Sequence, residues 1–389
     1  MHAANGVQRR GHRFASILTR GRSLQERMTA RAAWTRLSSY AVSLGVVLGL
    51  LGCAAPAMAP PAPSTPPAPQ ATAAPEPAQI RMGILGVLAD LPVYLAEARG
   101  YLREQGLAVQ LEPFRSGAEM FPALATNQLQ AGWTAPTAAL FNAYATDVDV
   151  RIVASYGRTD RDRNNIIFLV GSHSHLQEPR DLQGKTIAIN SKGTISYFYA
   201  DRVLRRAGLT LADVAIEELP FPDMVPALTS GKIDAAQLID PFATTLIVTG
   251  AARPLARGYD IAGEHDPGLL LFSSEFARQR EVATRFLKAL LLAGRDYATA
   301  LLYGQEPLRQ EVLGLLRERF KLQNEAVLER LGFTGPNPNG AVALSGLREV
   351  QAFFAAQGFV SRPVEVERMV DHSFVEAVLR EIGEYQPPR

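Results

Sequence analysis

Short polar side chains recur in loops that follow an apolar run and precede an amphipathic one. Twelve of them are candidate ligand contacts: Asp90, Ser116, Gly117, Thr134, Thr137, Ser191, Gly193, Thr194, Ser196, Tyr197, Asp223 and Asp240. If the apolar runs are parallel strands, these loops meet at the carboxyl ends of the strands, beside helix N-termini. The unpaired N–H groups and positive dipole end there suit an anionic or polar small molecule. The alternative is that the Ser, Thr and Asp side chains only cap helices.

Charged residues near these loops leave the sign of the ligand open. Asp90, Asp223 and Asp240 would favour an amine or a ring N–H, unless they serve as partners of helix dipoles. Arg115 and Arg158 would favour an anion. Both kinds of group around one cleft would suit a zwitterion or a polar ring.

Motifs for phosphate binding, metal binding and hydrolysis are incomplete or absent in the sequence. The triplet at residues 184–186 resembles the end of a phosphate loop, but Pro179 occupies the place of the first glycine and the triplet precedes a strand. His173 and His175 have no third ligand at metal-binding spacing, which favours a solvated loop. Neither HExxH nor GxSxG occurs. The sequence therefore predicts no catalytic residue, no metal site and no cofactor.

Cys53 is the single cysteine of the 389-residue chain, and it follows the uncharged, mostly apolar run 40–52. That run is shorter than the roughly 20 residues of a membrane-spanning helix, and Arg31 and Arg36 precede it, as in a signal peptide. The ending Leu50-Leu51-Gly52-Cys53 resembles a bacterial lipobox, which is cleaved before a cysteine that becomes lipidated. The alternative is a stray cysteine in an apolar segment. A single cysteine excludes an intramolecular disulfide and an iron–sulfur centre.

The N-terminal segments predict an exported protein that an extended tether connects to the membrane. Residues 1–52 form the expected signal peptide. We expect translation to start at Met28, which gives a signal peptide of ordinary length, so that residues 1–27 would be an over-extension of the gene model. Residues 53–79 are rich in Ala and Pro and should form an extended tether.

The chain from residue 80 onwards should form a globular protein. Residues 1–52 hold eight arginines and one acid, which leaves 32 basic and 37 acidic residues for the rest and no footprint for nucleic acid. Strands and helices alternate from residue 80 to residue 156 and again from 165 to 239, and the chain then becomes helical from 281 onwards. This order predicts two parallel sheets covered by helices, with Pro136 and Pro241 as first helical residues.

An ordered set of short motifs resembles the nitrate/sulfonate/taurine-type solute-binding proteins, including their pyrimidine-precursor relatives. The set includes Leu91-Pro92-Val93-Tyr94-Leu95-Ala96, Asp181-Leu182-Gln183-Gly184-Lys185 and Asp240-Pro241-Phe242. The resemblance implies an α/β type II periplasmic-binding-protein fold, in which two α/β lobes joined by two crossover strands enclose a ligand cleft. The crossovers are expected near 166–170 and 269–273, which gives lobe I as 80–168 plus 270–389 and lobe II as 169–269.

The same resemblance implies a function. We expect the extracytoplasmic substrate-binding lipoprotein of an ABC importer, in the periplasm or on the cell surface, for a sulfonate, taurine, nitrate or pyrimidine-like solute. Its partners would be permease transmembrane subunits with a separate ATPase and the membrane that holds lipidated Cys53. It should be a monomer without nucleic acid and not an enzyme. The alternative is a dehydratase- or lyase-like enzyme on the same fold, with Asp90 or Asp240 as its acid or base.

Overall fold

The computed structural model describes residues 76–159, 166–263, 265–332 and 335–388. Chain contacts separate residues 1–71 from residues 72–389, and the described residues all belong to the second unit. The predicted signal peptide, Cys53 and most of the predicted tether lie outside the described residues. Within the described ranges, no helix combines the length and the apolar character needed to span a membrane.

The first lobe is built on a mixed sheet. Its described strands lie in the spatial order β11 (Gly335–Pro336), β4 (Arg151–Thr159), β10 (His265–Phe272), β3 (Ala131–Thr134), β1 (Ala78–Ile84) and β2 (Leu107–Pro113). β1 pairs in parallel with β2 and β3, whereas β10 runs antiparallel between β3 and β4. The helices along this part of the chain are α1 (Leu91–Ala98), α2 (Tyr101–Glu104), α3 (Gly117–Ala125) and α4 (Ala138–Ala145).

The second lobe is built on a sheet with the strand order β7 (Ala215–Glu218), β6 (Thr186–Ile189), β8 (Ala235–Ile239), β5 (Ile166–Gly171) and β9 (Ala252–Arg257). β6 pairs in parallel with β7 and β8, and β5 runs antiparallel to β8 and β9. Its helices are α5 (Ile195–Arg206), α6 (Phe221–Thr229), α7 (Phe242–Val248) and α8 (Gly258–Ala262).

The remaining chain is helical and joins the lobes. It forms α9 (Ser274–Arg278), α10 (Arg280–Tyr297), α11 (Leu308–Arg319), α12 (Glu325–Arg330), α13 (Leu344–Ala356) and α14 (Ser373–Ile382). α13 packs on both lobes: Phe354 lies 6.3 Å from Phe141 of α4, and Phe353 lies 5.7 Å from Tyr197 of α5, between ring centroids. Aromatic contacts of this kind add to the free energy gained from burial.

The buried core of the first lobe follows from the pattern of its first strand. Ile80, Met82 and Ile84 alternate along β1 and are all buried, as the two-residue period of a strand requires. They share one apolar cluster with Leu91 of α1 and Leu287 of α10. Burial of each such side chain contributes about 1.5–3 kcal/mol.

The predicted two-lobed α/β fold is confirmed. The apolar runs 131–134 and 235–239, which the sequence predicts as strands, have the same bounds as β3 and β8. The predicted parallel pairing is confirmed for β1 with β2 and β3 and for β6 with β7 and β8. The sheets are nevertheless mixed, because the crossing strands β5 and β10 enter them in the antiparallel sense. Pro136 and Pro241 are not first helical residues, since α4 begins at Ala138 after its cap Thr137 and α7 begins at Phe242. β9 was not predicted.

The strand pairing of the two sheets indicates lobe boundaries that differ from the expected ones. The expected boundaries at 168/169 and 269/270 fall inside β5 and β10. Ile166 already pairs with Ile239 of the second sheet, and His265 already pairs with Thr159 of the first. We therefore propose that the chain has left the first lobe after Thr159 of β4, has entered the second lobe by Ile166 of β5, and has returned to the first lobe by His265 of β10, after α8.

Candidate ligand-binding cavity

A cavity of about 100 Å³ lies between the two lobes. Five aromatic side chains from both lobes line it, namely Trp133, Tyr156, Tyr199, Phe221 and Tyr297. Its polar lining side chains are Thr134, Asn190, Thr194, Ser196 and Gln237. Among the described residues that line the cavity, none is Asp, Glu, Lys, Arg or His. The cavity is therefore apolar and aromatic, with a few uncharged hydrogen-bonding groups.

The fold places strand ends and helix starts at this cavity. Thr134 ends β3 and Ile239 ends β8, and both contribute to the lining. Gly117 and Ile195, the first residues of α3 and α5, line it as well. A ligand in the cavity would thus meet the positive ends of two helix dipoles, one from each lobe.

Gly117 approaches β3 very closely. A Cβ atom at this position would lie 1.7 Å from Oγ1 of Thr134, 3.0 Å from Cβ of Thr134 and 3.3 Å from Cγ2 of Thr137. Only glycine fits this approach, so the residue type at 117 is set by the packing of the cavity wall.

The aromatic wall is held in place by specific contacts. The rings of Trp133 and Tyr156 meet edge to face with centroids 4.1 Å apart. The Tyr199 hydroxyl bonds Nε2 of buried His265, whose Nδ1 lies 2.9 Å from the carbonyl oxygen of Gly263. Because that carbonyl can only accept, Nδ1 carries the proton and Nε2 accepts from Tyr199. Burial lowers the pKa of His265, which favours this neutral state.

The structure places four of the predicted contacts at the cavity: Gly117, Thr134, Thr194 and Ser196. Direct contact of these four with a ligand remains a prediction. Ser116 and Thr137 lie beside the cavity, where their hydroxyls accept from the N–H groups of Glu119 and Leu140 and cap α3 and α4. For these two residues the capping alternative describes the structure.

Backbone bonds tie the two lobes together at the cavity rim. Ala138 N–H donates to the carbonyl of Gly193 at 2.9 Å, and Thr137 and Thr194 form an isolated β-bridge. The Asn190 side chain donates to the carbonyl of Arg115 at 2.9 Å. Of the predicted contacts, Gly193 acts here through its backbone carbonyl, whereas the carbonyl of Ser191 accepts from Thr194 N–H at 3.2 Å within the second lobe. The structure is therefore a state in which the lobes are closed on each other.

Two predicted contacts lie away from the cavity lining. Tyr197 packs on Phe353 and Phe359, because one residue of helix rotates it about 100° from the face that carries Ser196. Asp223 is exposed and lies 4.0 Å from Arg115, a weak surface pair. The α6 residue that does reach the cavity is Phe221.

Asp90 and Asp240 are buried but do not line this cavity; they hold loops. Oδ2 of Asp90 accepts from the N–H groups of Val87 at 2.9 Å and Leu85 at 3.2 Å. Asp240 accepts from Thr244 N–H at 2.9 Å and from Gly332 N–H at 2.5 Å. Desolvation raises the pKa of Asp90 to about 7 and that of Asp240 to about 6.

Each of these raised pKa values predicts a contribution to stability that is lost as the pH rises from about 4 to the folded-state pKa, which is about 7 for Asp90 and about 6 for Asp240. In this range the folded state binds more protons than the unfolded chain, so the free energy of unfolding falls by up to about 1.4 kcal/mol per pH unit for each carboxyl. Asp90→Asn should flatten this slope in urea unfolding at several pH values. The exposed Asp223→Asn variant is the control and should retain the wild-type slope; an unchanged slope in Asp90→Asn would contradict the assignment.

Neither arginine considered for anion binding lines the cavity. Arg158 lies 3.4 Å from the buried carboxylate of Asp266, and the side chain of Arg115 is 70% exposed. His173 and His175 lie in the segment between β5 and β6, and the described residues include no group of three or more His, Cys, Asp or Glu suited to a metal ion.

Several lining residues were not predicted as ligand contacts. Tyr156 and Gln237 lie within strands, and Tyr199 and Tyr297 lie within or at the end of helices. The loops alone therefore could not indicate them. Gln237 carried a signal of its own, because it is an amide inside the apolar strand Ala235–Ile239.

Comparison with known proteins gives consistent matches. The model of the NMT1/THI5-like family matches residues 90–300. The riboflavin-binding protein RibY of Chloroflexus aurantiacus is 26% identical over 362 residues, which cover 86% of this chain and 97% of RibY.

Solved structures agree on the fold. The alkanesulfonate-binding protein SsuA of Xanthomonas axonopodis pv. citri, solved bound to MOPS, superposes with a TM-score of 0.62 at 25% identity, covering 77% of this chain and all of SsuA. The desulfurization enzyme DSZB superposes with a TM-score of 0.59 at 18% identity, covering 78% of this chain and 99% of DSZB, and shows a shared fold alone. Binding proteins thus predominate among these neighbours, and at least one is an enzyme.

Proposed function

The chain belongs to the NMT1/THI5-like family, and from this premise we propose that it is the extracytoplasmic solute-binding component of an ABC importer. The observation that carries the proposal is a cavity lined by both lobes, with hydrogen bonds between the lobes at its rim. A solute held there would stabilise the closed state, and a permease would recognise that state. The proteins similar to this chain include an alkanesulfonate-binding protein and a riboflavin-binding protein.

Among the expected ligand classes, the cavity favours an uncharged ring over a small oxyanion. The starts of α3 and α5 would favour an anion, but a desolvated anion also needs a compensating charge or a full set of donors, and no charged side chain of the described residues lines the cavity. Aromatic walls such as Trp133 and Tyr156 suit stacking and edge contacts with a planar heterocycle. The proposed ligand is therefore a pyrimidine-like ring.

A thermal-shift titration of residues 76–389 tests this proposal. Nitrate, taurine, an alkanesulfonate, 1-methyluracil and riboflavin form the panel. A ligand at about 100 times its dissociation constant adds about 2.7 kcal/mol and should raise the melting temperature by several degrees. We expect a shift with a ring compound and none with nitrate. A shift with nitrate or the sulfonate alone would overturn the ring class while keeping the importer function.

A role in binding and not in catalysis is part of the proposal. The two carboxyls considered as an acid or base, Asp90 and Asp240, do not line the cavity and are occupied by backbone N–H groups. The enzyme DSZB shares the fold, and the fold does not fix the activity. Mass spectrometry of a bound ring compound after long incubation should therefore show an unchanged mass; a new product would support the enzyme alternative.

The remaining proposals concern location and assembly. The periplasmic or cell-surface position would follow from export and from a lipid on Cys53. The tether would let a monomeric binding unit reach the permease subunits, which work with a separate ATPase.

A further inference from the structure

Two buried polar atoms in side chains that line the cavity lack a hydrogen-bond partner within the part of the chain that the structure describes. They are Nε1 of Trp133 and the side-chain oxygen Oε1 of Gln237. The residues are 4% and 1% exposed. Buried polar groups in proteins are nearly always paired, and an unpaired one is costly, so each needs an explanation.

Trp133 is fixed in orientation. Its ring meets Tyr156 edge to face, and a Cβ atom at Gly268 would lie only 3.5 Å from Nε1. The glycine therefore keeps the flank of the indole open on one side, while Tyr156 packs on the ring. Indole N–H can only donate, so its partner must supply an acceptor.

Gln237 comes from the opposite lobe. It sits in β8, the central strand of the second sheet, opposite Phe168 of β5, and its strand neighbours Ala236 and Leu238 are buried and apolar. An amide in such a strand weakens the core unless a partner binds it. Its oxygen accepts a hydrogen bond, so the missing partner must supply a donor.

We propose that Trp133 and Gln237 are the specificity-determining pair of the cavity and recognise one ligand that carries both an acceptor and an N–H donor. This inference rests on the proposed function and names the chemistry of its ligand: a lactam or imide edge of an uncharged heterocycle. Since the two groups belong to different lobes, a ligand that satisfies both bridges the lobes and favours closure. A ligand with acceptors alone leaves the Gln237 oxygen unpaired.

The test uses probes that differ at one atom. In 1-methyluracil and in riboflavin, one ring N–H lies between two carbonyls, and 1,3-dimethyluracil and 3-methylriboflavin replace that N–H with N–CH₃. We expect N-methylation to weaken binding to the wild-type protein about tenfold or more, the loss of one buried hydrogen bond. Trp133→Phe and Gln237→Leu should each weaken binding of the parent compounds by about the same factor.

Ser155→Ala is the matched control, because Oγ of Ser155 is also buried and has no partner among the described residues, but Ser155 does not line the cavity. It should leave the dissociation constants unchanged. In Gln237→Leu the penalty for N-methylation should shrink, which a general loss of folding would not produce.

Two results would count against the pair, and they are distinguishable. If the wild type binds a parent compound and both variants and the N-methyl analogue bind within twofold of it, the pair is overturned and the proposed function stands. If no parent compound binds the wild type, the ring class in the proposed function fails and the pair fails with it.

Discussion

Replacement of Gly117 by alanine is expected to weaken ligand binding roughly 100-fold. The added Cβ would lie 1.7 Å from Oγ1 of Thr134, a separation that no pair of unbonded heavy atoms tolerates. Rotation of Thr134 would relieve this contact but not those at 3.0 Å and 3.3 Å to Cβ of Thr134 and Cγ2 of Thr137. Relief of this overpacking must displace the start of α3 or the end of β3, both of which line the cavity, at a cost of about 1–3 kcal/mol. We expect most of that cost to appear as lost fit to the ligand, and about 1.4 kcal/mol corresponds to tenfold in affinity. Calorimetric titration with a panel compound that binds the wild type measures the effect.

Two further variants make the Gly117 test specific. Gly171→Ala is the matched control, since its Cβ would meet only the carbonyl oxygen of Leu228 at 3.7 Å, an ordinary contact, and Gly171 does not line the cavity. Gly117→Ala combined with Thr134→Ala removes the nearest clashing atom and should recover part of the affinity. Wild-type affinity in the Gly117→Ala variant would show that this wall of the cavity does not contact the ligand.

Replacement of Cys53 by serine is expected to abolish lipid attachment completely. The thiol is the nucleophile that a thioether-linked lipid requires, and the chain has no second cysteine to replace it. A signal that depends on this residue would then leave the protein without its anchor. Incorporation of a labelled fatty acid in the native bacterium, followed by membrane fractionation, measures both effects.

Ala55→Ser is the control for Cys53→Ser, because it introduces the same side chain two residues away and should keep the label. Labelling of the Cys53→Ser protein at wild-type level would refute the lipoprotein assignment. The ligand affinity of the 76–389 fragment is independent of this outcome, so the binding proposal is tested separately.

The sequence predicted local elements well and long-range pairing poorly. Strands β3 and β8 are short apolar runs bounded by turn residues, and their predicted bounds match the structure. The antiparallel position of β10 depends on contacts with strands more than 100 residues earlier in the chain, which no local pattern encodes. The motif resemblance nevertheless indicated the correct two-lobed fold.

For the site, too, the sequence predicted local features better than contacts between distant segments. Helix starts were found from their residue types, yet hydroxyls such as Ser116 and Thr137 cap helices, and only the folded arrangement shows which ones face the cavity. Buried carboxyls Asp90 and Asp240 looked like candidates for chemistry, and their backbone partners lie in loops that the sequence does not bring together. Gln237 interrupts an apolar strand but was not predicted as a contact, and only its position in the cavity wall and its buried oxygen, unpaired among the described residues, distinguish it.

The place of β10 between β3 and β4 also has a consequence for the order of folding. The strands β3 and β4 cannot be joined until a segment that follows the entire second lobe has been made. A chain that is exported from its N-terminus exposes those two strand edges meanwhile, and open edges are sites of misassociation. The second lobe has all its strands in one continuous stretch, so it can complete its sheet first. We therefore expect the second lobe to fold before the first lobe, whose strands lie on both sides of it in the sequence. The insertion of β10 between β3 and β4, which closes the long loop that contains the second lobe, is then the late step in folding.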